Sequence, residues 1–209
     1  MLKEHTREEI KEVIYQVLSE NLFVPVGVSN RHVHVDEATC DILFGKGHGL
    51  TVKAPVKQHG QFAANETVDL ISENGKIERV RILGPIRSKN QVEVSLADAR
   101  QLRLDVPIRD SGDHVQTPGI TLVGAEGSVH MEDGVIVAAR HIHVPSDLAK
   151  KYHIVDGQMA KVDIGGQRGL LYDHVLLRVR EDYVLEMHID VEEANAAGIK
   201  NGDYVRVIL

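Results

Sequence analysis

Residues 31–35 read Arg-His-Val-His-Val and residues 140–144 read Arg-His-Ile-His-Val, a near-identity within one chain of 209 residues. A match of this kind marks an internal duplication if it extends beyond five letters. It does: each motif is followed by a short helical stretch, a glycine-containing turn and an apolar strand, DEATCDILFGKGHGLTV over 36–52 and PSDLAKKYHIVDGQMAKV over 145–162. A second pair, QVEVSLADARQLRLD over 91–105 and EMHIDVEEANAAGIKNGD over 186–203, shares a strand, a capping polar residue, a short alanine-rich helix and a turn. Ser95 and Asp190 are the expected N-caps. Superposing the second pair sets Glu93 in line with His188.

Outside these motifs the chain reads as short apolar strands bounded by turns, including VPVGVS (24–29), ETVDLIS (66–72), ERVRILG (78–84), ITLVG (120–124) and DYVRVIL (203–209). Many short strands with a few brief helices fit barrel-like or sandwich-like halves better than a parallel α/β sheet with long crossovers. The expected fold is therefore mainly β with short α-helices: two tandem β-barrel domains from an internal duplication, over 23–115 and 116–209. The change-over falls near 109–121, where Gly112 and Pro118 interrupt the pattern. Residues 1–22 differ. Ile10, Val13, Ile14, Val17 and Leu18 recur at helical spacing among charged residues, so this segment reads as an N-terminal amphipathic helix. Its simpler reading is a helix packed on the fold, and its sharper one a docking helix for a partner's groove.

Composition narrows the function. Hydrophobic residues at 43% and charged residues at 26% give a globular balance, and no apolar run approaches a membrane span. A net charge of −7, with no basic run and no Trp, argues against nucleic-acid binding. The single cysteine, Cys40, excludes an intramolecular disulfide, and the charged N-terminus is unlike a secretory signal, so a reducing, cytoplasmic setting is expected. Cys40 itself reads as a small core residue in the helix after the first motif.

The unusual count is 12 histidines. In a strand, residues i and i+2 share a face, so His32 with His34, and His141 with His143, each present two imidazoles to one side. One such pair is a weak signal; two at matching places in a repeat are a strong one. Converging imidazoles suit a metal ion, and the repeat nominates a third ligand for each pair. The expected sets are His32, His34 and Glu93, and His141, His143 and His188. Three N/O ligands leave positions open, as in catalytic zinc sites, whereas structural zinc is normally closed by four. Zinc is the first choice, and Co, Mn and Fe also suit these ligands. The other histidines read as surface or structural residues. An anion-binding signal lies between the motifs: Arg87 follows a Gly84-Pro85 turn and precedes Glu93 by six residues, where a guanidinium can grip phosphate.

The segments VGVSNRHVHV, GPIRSKNQVEVSLADA, GVIVAARHIHV and LEMHIDVEEANAAG, in this order, resemble the PduL-type phosphate acyltransferases, also called phosphotransacylases or phosphate propanoyltransferases, and the similarity runs from about Val24 to Leu209. The resemblance implies two β-barrel domains, two zinc ions per chain in a dinuclear site, and reversible conversion of acyl-CoA (propanoyl-CoA or acetyl-CoA) and phosphate into acyl phosphate and coenzyme A. It assigns His32, His34 and Glu93 to one zinc and His141, His143 and His188 to the other, in agreement with the repeat. It places Arg87 on phosphate, Ser29, Arg81 and Asn195 on coenzyme A, and Ser111 beside phosphate. In this reading phosphate attacks the thioester carbonyl while zinc polarises that carbonyl and accepts the departing thiolate. The resemblance further implies a homo-oligomer, cytoplasmic or held inside a bacterial microcompartment of propanediol degradation, with residues 6–22 as an encapsulation tag reaching shell or core proteins. Two other functions fit the metal ligands alone: a dinuclear zinc hydrolase, and a zinc-stabilised, non-catalytic binding module.

Overall fold

The computed structural model describes residues 6, 7, 9–11, 13, 14 and 21–209. Along the chain the elements run β1 (Leu22–Ser29), β2 (His32–His34), α1 (Glu37–Phe44), β3 (Val52–Pro55), β4 (Phe62–Ile71), β5 (Lys76–Gly84), β6 (Gln91–Glu93), α2 (Leu96–Leu102), β7 (Ile108–Arg109) and β8 (Ile120–Val123). They continue with β9 (Ser128–Met131), β10 (Val135–Ala138), β11 (His141–Pro145), α3 (Ser146–Lys151), β12 (Met159–Ile164), β13 (Leu170–Arg180), β14 (Glu186–Asp190), α4 (Val191–Ala197) and β15 (Tyr204–Ile208). The fold is mainly β, with 42% of residues in strands.

Two compact units form, and neither is one continuous stretch. One comprises the described residues up to Gly27 with Arg140–His188 and Ala194–Leu209; the other comprises Val28–Ala139 with Ile189–Glu193. The first holds a closed six-stranded barrel in the order β1-β14-β11-β13-β12-β15. It closes because β1 runs antiparallel to β15 from the other end of the chain, Leu22 opposite Val207 and Val24 opposite Val205. Closure removes both sheet edges. Its interior is apolar: Val24, Ile142, Val144, Val162, Val175, Leu177 and Met187 have no accessible surface.

The second unit is a nine-stranded sheet in the order β7-β10-β6-β2-β5-β4-β8-β9, with β3 paired to β4, and it curls into a half-barrel. Val33, Cys40, Leu43, Leu70, Ile82, Leu102 and Leu122 are fully buried in its core. Cys40 is thus the core residue expected, and burial raises its thiol pKa.

The helices start where the sequence places them. Asp36 accepts from the Thr39 backbone N–H at 2.7 Å to cap α1. Ser95 and Asp98 form a capping box at α2, and Asp190 and Glu193 exchange the same pair of bonds at α4. At the N-terminus, residues 7, 9–11, 13 and 14 are helical, and Ile10, Val13 and Ile14 keep about half or more of their surface exposed. Val17 and Leu18, the other apolar positions of the expected helix, lie outside the described residues. Among the described residues no helix is long and apolar enough to cross a membrane.

Candidate functional site

The duplication is visible in strand register. β2 lies between antiparallel β6 and parallel β5, and β11 lies between antiparallel β14 and parallel β13. His32 stands opposite Glu93 and His34 opposite Gln91; His141 stands opposite His188 and His143 opposite Glu186. Val33 and Ile142, the middle residues of the two motifs, are fully buried in the cores, which turns both histidines of each motif to the other face.

At the first site the donor atoms of His32, His34 and Glu93 lie within 4.8 Å of one another. His32 Nε2 is 3.4 Å from Glu93 Oε2. His32 Nδ1 lies 2.9 Å from the Asn30 carbonyl and His34 Nδ1 3.1 Å from the Leu83 carbonyl. Each Nδ1–H therefore donates to the backbone, which fixes the tautomer and leaves the Nε2 lone pairs for a cation. His34 is held neutral, its pKa lowered to about 3 by burial first, then by His32 and by the Arg87 guanidinium.

Glu93 is clamped from behind. Its Oε1 accepts from Gln91 Nε2 at 2.7 Å and from Ser111 Oγ at 3.1 Å. Gln91 is held in turn by the Gly112 N–H at 2.7 Å and by His114 Nε2 at 3.1 Å, both donating to Gln91 Oε1. Gly112 reaches this turn with a φ of +98°, a conformation that favours glycine. Ser111, expected beside phosphate, thus has its hydroxyl on the Glu93 carboxylate.

At the second site the donor atoms of His141, His143 and His188 also lie within 4.8 Å of one another. The rings of His141 and His188 stack at 5.1 Å, and the His143 ring stacks on Tyr183 at 4.0 Å. His143 Nδ1 is buried and has no hydrogen-bond partner, a costly arrangement for a polar atom unless something else occupies its lone pair. Burial first, then His141, Arg178 and Arg180, lower the His143 pKa to about 3, so this ring too is neutral. Both donor sets suit zinc: each has one imidazole held neutral, with a pre-oriented carboxylate at the first site and an orphaned nitrogen at the second.

The other expected residues are placed as follows. Arg87 comes just after the cis Gly84–Pro85 bond; its backbone N–H donates to the Val35 carbonyl at 2.9 Å, and its charge reaches His34. Arg81 stands beside His32 in register, but its Nη1 donates to the Ala64 and Asn65 carbonyls at 2.9 Å each, across the irregular part of β4. Ser29 is half-buried at the end of β1, and Asn195 is exposed on α4. Sequence reading missed Gln91, His114 and Glu186. Gln91 and Glu186 each precede a third donor by two residues, so strand periodicity carries a signal for both.

A family model for phosphate propanoyltransferase matches residues 25–200. The chain belongs to this family. A phosphate propanoyltransferase of Thermotoga maritima is 45% identical over 209 residues, covering 100% of this chain and 99% of the relative. One from Rhodopseudomonas palustris is 50% identical over 184 residues, 88% of this chain and 81% of the relative. One from Limosilactobacillus reuteri is 43% identical over 213 residues, 100% and 98%. The chain is accordingly an acyltransferase, a phosphate acyltransferase by family.

Proposed function

We propose that the chain exchanges an acyl group between coenzyme A and inorganic phosphate, with propanoyl-CoA or acetyl-CoA as the thioester, at two zinc sites built from His32, His34 and Glu93 and from His141, His143 and His188. The observation that carries this reading is the matched register, which opposes a third donor to the first histidine of both motifs. Family membership supports the reaction class.

Arg87 binds the attacking phosphate through its guanidinium and holds it toward the first site, where its charge is already felt at His34. A phosphate oxygen then forms a bond to the thioester carbonyl carbon, the carbon–sulfur bond breaks, and coenzyme A leaves as thiolate. Zinc, when bound, supplies a Lewis acid for the carbonyl oxygen and a soft partner for the leaving sulfur. Ser111 and Gln91 keep Glu93 oriented as a ligand. No acyl-enzyme is needed: Cys40 is fully buried with a raised pKa and makes a poor acyl acceptor. Ser29, Arg81 and Asn195 are assigned to coenzyme A.

The test is the fate of the acyl group. Protein incubated with propanoyl-CoA and phosphate is quenched with hydroxylamine, which converts acyl phosphate to hydroxamate. Hydroxamate formed only when phosphate is present supports the proposal, and free propanoate as the sole product replaces it with a hydrolase.

A further inference from the structure

The two sites differ in where they carry their carboxylate. β6 reads Gln91-Val92-Glu93 and β14 reads Glu186-Met187-His188. At the first site the carboxylate is the third donor and an amide stands two residues before it. At the second the third donor is an imidazole, and the carboxylate has moved to the amide's place, opposite His143. Both upstream residues point to the donor face, because strand neighbours at i and i+2 share a side. Gln91 uses that position to bind Glu93 at 2.7 Å. Glu186 instead brings Oε2 to an ion-pair distance of 3.3 Å from His188 Nε2, without a hydrogen bond between the two atoms.

The surroundings are shaped around this carboxylate. Glu186 is only 8% exposed. Facing it is Gly27, where an added Cβ would lie 2.8 Å from Glu186 Cδ and 2.9 Å from Oε1, closer than real Cβ atoms come. An alanine at 27 and Glu186 in its present place are therefore incompatible.

We infer that Glu186 is the positioning residue of the second metal site: its carboxylate lies beside His188 and supplies the negative charge that this all-imidazole donor set lacks. A carboxylate beside the donor set favours a cation there, and loss of an outer partner of a metal site weakens metal binding by about 10–100-fold. This rests on the two-zinc reading above.

The experiment reads metal retention, with zinc itself as the probe. Full-length protein, Glu186→Gln and Gly27→Ala are loaded with zinc and equilibrated with graded chelator, zinc per chain is measured by elemental analysis, and circular dichroism monitors folding. Glu186→Gln keeps the size and removes the charge; Gly27→Ala keeps the charge and displaces it, and carries the test should the first variant not fold. The expected result is that one zinc is lost at about 10–100-fold lower chelator in both variants while the other is held as before. Adding Glu93→Ala to either variant should then release the zinc that remained. Equal retention of both zincs in a folded variant and in unmutated protein overturns the inference while leaving the two-zinc reading intact. Fewer than two zincs in loaded, unmutated protein overturns that reading and the inference with it.

Discussion

Glu93 stands directly across the β2–β6 pair from His32, with its Oε2 3.4 Å from His32 Nε2 and its Oε1 bound by Gln91 and Ser111. One oxygen is thus committed to support and the other faces the histidines. A cation held there meets an acidic oxygen that cannot swing away.

Replacing Glu93 with alanine removes that oxygen. Zinc content should fall from about two to about one per chain, with loss of phosphate-dependent turnover and little change in the circular dichroism spectrum. Full zinc content in Glu93→Ala would remove Glu93 from the ligand set.

Ser111→Ala separates two roles. If the hydroxyl acts through Glu93, as its 3.1 Å bond indicates, zinc at the first site should be held about 10–100-fold less tightly. If the hydroxyl instead orients phosphate, zinc retention stays unchanged and KM for phosphate rises.

Arg87→Ala should cut kcat/KM for phosphate by about 10²–10³-fold, the scale seen when one preorganised donor to a reacting oxyanion is removed. Lysine restores the charge without the bidentate fork, so Arg87→Lys should recover only part of the loss. Unchanged phosphate dependence in Arg87→Ala would exclude the assignment.

Metal-free protein should lose stability as the pH falls through the range between 6.5 and about 3. His34 and His143 bind a proton near 6.5 when unfolded but only near 3 when folded, so acid favours the unfolded chain. The loss grows as the pH falls through that window, and nothing further is gained above it. Urea unfolding at pH 7.5 and pH 5.5 measures this, and His34→Gln should flatten part of the slope. A slope unchanged by that substitution would contradict it.

Much of the site was legible because strand chemistry is periodic. The alternation of His32, Val33 and His34 dictated which side chains share a face, and the repeat set Glu93 in line with His188, which the pairing bears out. The N-caps Ser95 and Asp190 were equally local. What escaped is non-local. Nothing in VPVGVS announces that β1 closes a barrel against β15, because pairing partners are chosen by burial across the whole chain. The two-residue β7 carries no periodicity to read, and β9 stayed hidden in a turn-rich stretch. The bond from the Ser111 hydroxyl to Glu93 joins parts of the fold that the sequence does not place together, and the contact between Gln91 and His114 spans 23 residues.

The central claim is acyl transfer to phosphate at zinc sites, and coenzyme A release from propanoyl-CoA tests it most directly, measured with and without phosphate on protein of known zinc content. The account predicts about two zincs per chain and release that requires phosphate. Release at the same rate without phosphate, or zinc-loaded protein that releases none, would contradict it.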